Sequence, residues 1–305
     1  MLLDYDAQKP IDLLPNRKKN DLLEYFRGFS LSERRKVKYI AADMYKTYRD
    51  VCQQIFPNAT YAVDRFHVMQ DFTRQFDRVR IRVMKGTRTD SDEYYLLKKQ
   101  NHLLAIKPDA KKPKQGAPKK KARTKDDYEF ILDPAGEREY DYHFKEHLNK
   151  YELLKRLLNI SDELRKSYEF RNRMSRFFRE NTIETAPAEL EKLIADLDGS
   201  NIREMMAFAE TARPWFGEII NSFTIIKEDY TVTRNGALKK NDYRLTSSMI
   251  ENRNKYVKQI KNNANGYTNW RRFRNRVLYV LRKDIPLDFT SKEEEKQDDK
   301  NPAKT

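Results

Sequence analysis

Short apolar runs and amphipathic stretches alternate through the first part of the chain, as in proteins that combine strands with helices. Residues 2–5 and 11–14 flank a turn-rich segment and predict two short antiparallel strands. Residues 20–29 place apolar side chains at the i, i+3, i+4, i+7 spacing of an amphipathic helix. The chain is therefore predicted to open with a small sheet followed by a helix.

Two further apolar runs each end on a carboxylate. Residues 37–43 finish on Asp43 and residues 60–64 finish on Asp64, and residues 45–56 between them predict a helix. A helix between two strands indicates a parallel crossover, which brings both C-terminal strand ends to one edge of the sheet. Open α/β sheets bind their ligands at this edge. The fold class predicted for this part of the chain is α/β.

The pattern changes to helices after residue 64. Helical spacing of apolar residues covers residues 66–84, 92–106, 142–160, 161–178, 188–197 and 202–223. Residues 107–125 are rich in Lys and Pro and predict a mobile basic loop, which serves either as a solvated linker or as a DNA contact. A final pair of helices starts at Ser247 or Ser248, and the segment after Pro286 is a charged tail.

Composition narrows the class of partner. The chain of 305 residues has 62 Lys and Arg against 47 Asp and Glu, a net charge of +15 that favours a polyanion such as nucleic acid. A single cysteine, Cys52, excludes a disulfide framework and a four-cysteine zinc site within this sequence. The apolar runs in the sequence are all shorter than the roughly 18–20 residues that span a bilayer. We therefore expect a soluble, cytoplasmic protein without membrane partners.

Three carboxylates are candidates for metal-dependent phosphodiester chemistry, which needs acidic side chains that converge on one point. Asp43 and Asp64 follow strands at one predicted edge, and Glu251 lies in the first turn of a basic helix. Each has a structural alternative. An Asp after a strand is often the N-cap of the next helix, and residues 248–251 match the capping box in which the Glu bonds back to the cap.

Four sequence runs together resemble one family. Residues 37–44, 56–59, 64–67 and 247–258, followed by Gly266-Tyr267, resemble the DDE transposases of bacterial insertion sequences, specifically the ISL-three group. The resemblance implies a ribonuclease H-like core with a mixed sheet, interrupted by a large all-α insertion before the helix of the catalytic glutamate. The implied domains are residues 1–85 (first part of the core), 86–240 (insertion), 241–285 (second part of the core) and 286–305 (charged tail).

The resemblance also implies roles for individual residues. Asp43 matches the second catalytic aspartate and Glu251 the glutamate, so both are expected to bind metal. Asp64 and His67 match an Asp-x-x-His element; His67 either contacts the scissile phosphate, orients Asp64, or is a structural donor. The positions expected to face DNA are Asn254, Lys255, Lys258, Arg271, Arg272 and Arg274.

The implied function is DNA transposition. Such an enzyme hydrolyses a phosphodiester at the transposon end and transfers the freed strand to target DNA by a two-metal mechanism with Mg²⁺ or Mn²⁺. The expected partners are transposon ends, target DNA and further copies of the chain in a paired-end complex, within the bacterial cytoplasm at the nucleoid.

Two elements of the family pattern are not found in the sequence. These are the first strand, with its catalytic aspartate in an Ile-Asp-Glu-like context, and the N-terminal zinc-binding and helix-turn-helix segments. We therefore expect an N-terminally shortened transposase, which is an incomplete enzyme or, alternatively, a catalytically inactive DNA-binding remnant. A third alternative is an unrelated helical RNA-binding protein whose Tyr and Phe side chains stack on bases.

Overall fold

The computed structural model describes residues 1–113, 128–232 and 238–282, apart from the side chains of Lys239, Met249 and Glu251. The chain divides into two compact units. One unit combines residues 1–64 with the segment from residue 245 onward, and the other consists of residues 65–244. The charged tail predicted for residues 286–305 and most of the predicted basic loop, residues 114–125, lie outside the described residues.

The first 64 residues form two small sheets and three helices. Strands β1 (Leu2–Asp4) and β2 (Lys9–Asp12) pair in antiparallel fashion. They are followed by α1 (Lys19–Arg27), α2 (Leu31–Lys36), β3 (Tyr39–Ala42), α3 (Lys46–Ile55) and β4 (Thr60–Val63). Strands β3 and β4 pair in parallel, as predicted, and α1 packs on α3 around Leu22, Leu23, Val51 and Ile55.

Residues 65–244 contain seven α-helices and three hairpins within their described part. In chain order the elements are α4 (Arg65–Lys85), α5 (Asp92–Lys99), β5 (Lys111–Pro113), β6 (Tyr128–Phe130), β7 (Glu139–Asp141), β8 (Glu146–Leu148), α6 (Lys150–Asn159), α7 (Asp162–Glu180), α8 (Ala186–Asp198), α9 (Arg203–Ala212), α10 (Phe216–Asn221), β9 (Ile225–Val232) and β10 (Leu238–Arg244). Helix α4 packs on α7 and α9, where the rings of Phe72 and Phe208 meet edge to face with centroids 4.7 Å apart. Helix α4 thus belongs to the second unit, whereas the resemblance placed it in the first part of the core, residues 1–85.

The prediction of an all-α insertion is wrong, because three antiparallel hairpins lie among these helices. The helix predicted over residues 142–160 begins only at Lys150, after the β7–β8 hairpin. The Asp141 carboxylate accepts hydrogen bonds from the amides of His143 and Phe144 and closes the hairpin turn. Asn149 then caps α6 with Glu152 in a capping box, which fixes the later helix start.

Two other predicted helices are interrupted. The helix predicted over residues 202–223 divides at Pro214, where a 3₁₀ turn, Arg213–Trp215, separates α9 from α10. Proline has no amide N–H to continue the α-helical ladder. The helix predicted over residues 92–106 ends at Lys99 and is followed by a 3₁₀ turn, Asn101–Ala105.

The C-terminal part of the first unit consists of α11 (Ser248–Asn263) and α12 (Trp270–Leu281). Helix α11 ends at a turn in which Gly266 has a φ of 102°, a left-handed conformation that favours glycine. Helix α12 packs on both α11 and β2. Within the described ranges, each helix is too short or too polar to cross a bilayer.

Candidate functional site

Asp43 and Asp64 lie at the same edge of the parallel sheet, as predicted. Ala42 of β3 pairs with Val63 of β4, and each is followed directly by its aspartate. The Asp64 amide donates to the Ala42 carbonyl at 3.0 Å, which continues the ladder by one step. The parallel crossover through α3 produces this alignment, because both strands run in the same direction.

The backbone of Asp43 is held in place by two donors. Its carbonyl accepts from the Tyr61 hydroxyl at 2.7 Å and from the Tyr45 amide at 2.7 Å. Burial raises the pKa of the nearby Tyr48 hydroxyl, and the negative charge of Asp43 raises it further. Asp43 itself is half-buried. The backbone of Asp43 therefore has a fixed position near the Tyr48 hydroxyl, whose raised pKa keeps it protonated at neutral pH.

Asp64 is 1% exposed and is bonded to the start of helix α11. Its Oδ2 accepts from the Thr246 hydroxyl at 2.8 Å and from the backbone amide of Ser247, the N-cap residue. The first amides of a helix lack partners within the helix, and a carboxylate there also interacts favourably with the helix dipole. Asp64 thus joins the sheet edge to α11 across 183 residues of sequence.

Glu251 lies in the first turn and a half of α11, four residues after Ser247, or about 6 Å along the helix axis. Its side chain lies outside the described residues. The structural alternative for Glu251 required Ser248 as the helix cap. The N-cap is Ser247, so the third helical residue is Ile250 and the capping-box spacing to Glu251 does not apply.

His67 lies in the first turn of α4, in the second unit. It is half-buried, and its ring meets the ring of the exposed Phe66 edge to face, with centroids 5.6 Å apart. Phe66 is 50% exposed.

The residues predicted to face DNA differ in exposure. Lys255 and Lys258 on α11 and Arg272 on α12 are exposed, whereas Asn254 and Arg271 are half-buried. Lys261 and Arg276 on the same helices are also exposed, although they are not among the positions predicted to face DNA.

Arg274 has a structural partner and does not join this exposed set. Its Nε donates to Oδ1 of Asp12 at 2.7 Å, and the other oxygen of this carboxylate accepts from the Tyr25 hydroxyl at 3.0 Å. Asp12 is buried, and burial followed by the charge of Asp12 raises the pKa of Tyr25. This ion pair ties α12 to β2, and the phosphate contact of Arg274 stays a prediction.

The acidic residues at the sheet edge have hard oxygen donors of the kind that Mg²⁺ prefers. Among the side chains that the structure describes, no three His, Cys, Asp or Glu residues form a group that could hold a metal. Asp43 is the described member of the predicted pair of ligands. Carboxylate oxygens such as those of Asp43 fit the donor chemistry that a divalent cation requires.

The comparison with protein families gives a match that covers most of the chain. The family model for DDE transposases of the ISL-three group, described as a transposase, matches residues 1–277. Searches among curated proteins and among solved structures return no match.

Proposed function

Because the chain belongs to the DDE transposases of the ISL-three group, which act on DNA in transposition, we propose that it is the catalytic part of such an enzyme. In this proposal the first unit is a ribonuclease H-like core. The parallel pair β3–β4 and the antiparallel pair β1–β2 form two separate two-stranded sheets, and both strand directions of such a core are thus present in the first unit. The reaction is cleavage of a phosphodiester at the transposon end followed by strand transfer.

One observation carries the proposal. Asp64 binds the N-cap of α11 at the sheet edge where Asp43 also lies. The backbone of Glu251 is consequently held about one helical turn from this edge. The backbones of two acidic residues far apart in sequence, Asp43 and Glu251, thus lie in the same region of one unit, which supports the proposal of a shared cation site.

We assign different tasks to the residues of this site. Asp43 and Glu251 would bind the divalent cation that this family uses, which stabilises negative charge on the phosphate oxygens when bound. Asp64 supports the site through α11, because its Oδ2 already accepts two hydrogen bonds. His67 is proposed as a supporting residue of the Asp-x-x-His element.

DNA phosphates are proposed to contact the exposed cations of α11 and α12. Lys255 and Lys258 lie one turn apart on α11, and Arg272 lies in the first turn of α12. Such contacts position the nucleic acid without reading its sequence. We propose that the protein works on DNA in the cytoplasm, in a paired-end complex of two or more copies.

A nicking assay on supercoiled DNA that carries the transposon ends tests this proposal. The chain is assayed with Mg²⁺ or Mn²⁺, both as it stands and extended by any in-frame coding sequence found upstream of Met1. We expect Asp43→Asn and Glu251→Gln to abolish nicking while DNA affinity is retained. Glu24→Gln, an exposed change of the same type in the same unit, serves as the matched control.

The second candidate function is a DNA-binding protein without turnover. It is supported by the exposed side chains of Lys255, Lys258 and Arg272, which can contact phosphate without a metal site. Duplex binding without metal-dependent nicking in either form of the chain would favour this alternative and contradict the catalytic proposal.

A further inference from the structure

A cationic groove lies between α4 and α9 in the second unit. It has a volume of about 550 Å³, and its lining includes Gln75, Arg78, Arg82, Lys85, Arg203 and Glu204. Arg78, Arg82 and Lys85 follow one another at i, i+4 and i+7, so they share one face of α4. The groove is therefore bordered by a row of positive charges along one helix and a further Arg on the next.

The acidic side chain in this groove is already neutralised. Glu204 is 4% exposed and accepts from Arg82 through both oxygens, at 2.9 and 3.0 Å. Arg82 also donates to Glu163 at 2.6 Å. The hydrogen bond from Arg82 is the main reason why the pKa of Glu204 lies below its ordinary range. Glu204 and Arg82 form the floor of the groove. Arg203 also donates to Glu204, so two cations offset the two carboxylates and leave little negative charge to repel an anion.

The cationic side chains at the rim of the groove have hydrogen-bond donors that are not engaged within the described part of the protein. Lys85 is exposed and makes no hydrogen bond or ion pair within the described part of the chain. Arg78 is exposed and donates one bond, to Gln75 at 3.2 Å. The Arg203 side chain is 81% exposed, and one of its nitrogens lies 3.2 Å from Glu204. These three side chains retain donors for an external anion.

We propose that this groove binds the phosphate backbone of duplex DNA. Arg78 and Lys85 are separated by seven residues, or about 10 Å along the axis of α4. Phosphates of one strand succeed one another every ~3.4 Å along the DNA axis, so the row matches about three of them. The guanidinium groups of Arg78 and Arg203 suit bidentate contacts with phosphate. The inference rests on the proposed function only in that DNA is the expected polyanion.

The proposed groove contacts are independent of base sequence and should appear in the salt dependence of binding. Each phosphate contact contributes about 0.9 to the slope of log K against log salt concentration. For the full chain we expect Arg78→Ala, Lys85→Ala and Arg203→Ala each to lower this slope by about 1. The loss should be equal for transposon-end DNA and unrelated duplexes.

Two control variants separate the groove from general charge effects. Lys192→Ala removes an exposed charge from α8, outside the groove, and should change the slope less than the three groove variants. Lys85→Arg keeps the charge and should keep the slope. Circular dichroism and thermal unfolding verify that each variant is folded.

The outcomes distinguish this inference from the proposed function. Unchanged slopes in all three folded groove variants would overturn the groove assignment and leave the nicking proposal intact. Lower slopes in a chain that does not nick DNA would support the groove and contradict the catalytic proposal. A wild-type chain that binds no duplex at about 50 mM salt would overturn both.

Discussion

The carboxylate of Asp64 accepts a hydrogen bond from the backbone amide of Ser247, and this bond joins the end of a buried strand to the start of the helix that carries Glu251. The same oxygen accepts from the hydroxyl of Thr246. The Asp64 carboxylate thus supplies an acceptor that the first turn of α11 lacks.

Removal of this carboxylate should destabilise the first unit. We expect Asp64→Ala to lower the free energy of unfolding by about 2–3 kcal/mol, because the amide of Ser247 would be buried without an acceptor. Asp64→Asn retains an acceptor oxygen and should cost about 1 kcal/mol. Urea unfolding followed by circular dichroism measures both values.

The control for this series is Asp6→Ala, which removes an exposed carboxylate from the same unit. It should change the unfolding free energy by less than about 0.5 kcal/mol. Equal stability of Asp64→Ala and Asp6→Ala would show that the bond to Ser247 does not hold α11 in place.

Arg272 and Arg274 lie two residues apart on α12, and we expect their substitution to affect different properties: DNA binding for Arg272 and folding stability for Arg274. Arg274→Ala leaves Asp12 buried without its cation, so we expect a loss of about 2 kcal/mol in stability and no change in the salt slope of DNA binding. Arg272→Ala should leave stability within about 0.5 kcal/mol and lower the salt slope by about 1. Denaturant titration and DNA binding at several salt concentrations give the two readouts.

The two arginines are matched controls for each other. If both variants lower the salt slope and neither lowers stability, the division into a structural and a DNA-facing arginine is contradicted.

Sequence patterns predicted the part of the site that is formed by residues close together in the chain. Two short apolar runs joined by helix α3 specify the strand-helix-strand unit from residue 37 to residue 64. The sheet edge that Asp43 and Asp64 share was therefore predictable from the sequence. The bond from Ser247 to Asp64 spans 183 residues and the ion pair of Arg274 with Asp12 spans 262. Such partners depend on the assembled tertiary structure, and the sequence near each residue does not indicate them.

The hairpins β5–β6 and β7–β8 were not predicted, for a different reason. Strands β5, β6, β7 and β8 have only three residues each, too few to show an alternating pattern. Exposed aromatic residues such as Tyr140 and Tyr142 fit the apolar positions of a helix equally well. The signals that decide the structure are the turn at Asp141 and the cap at Asn149, which act against the helical periodicity.

Cys52 should make stability depend on pH in the alkaline range. Burial raises the pKa of its thiol from 9.0 to about 11. The unfolded state loses the thiol proton first, so the stabilisation is complete below pH 9 and is lost as the pH rises towards 11. We expect the unfolding free energy of the wild type to decline more steeply between pH 9 and 10 than that of Cys52→Ala.

Urea unfolding at pH 8, 9 and 10 measures this difference. The range below pH 10 is chosen because the ordinary pKa of tyrosine is about 10 and Tyr25 and Tyr48 have raised pKa values. Identical pH profiles for the two proteins would mean that the thiol is not buried in the folded state.

Glu204 should make stability depend on pH in the acidic range. Its bonds with Arg82 hold its pKa below the ordinary value of 4.5, so its contribution is present above pH 4.5 and lost as the pH falls through the folded-state pKa. Arg82 is 37% exposed, and solvent screening limits the expected loss in Glu204→Gln at pH 7 to about 1–2 kcal/mol. The variant should also lose less stability than the wild type between pH 5 and pH 3.

Urea unfolding across this range measures both effects, with the exposed Glu210→Gln on the same helix as the matched control. Parallel acid profiles for wild type and Glu204→Gln would contradict the pairing with Arg82, and with it the neutral floor on which the binding of phosphates in the groove depends.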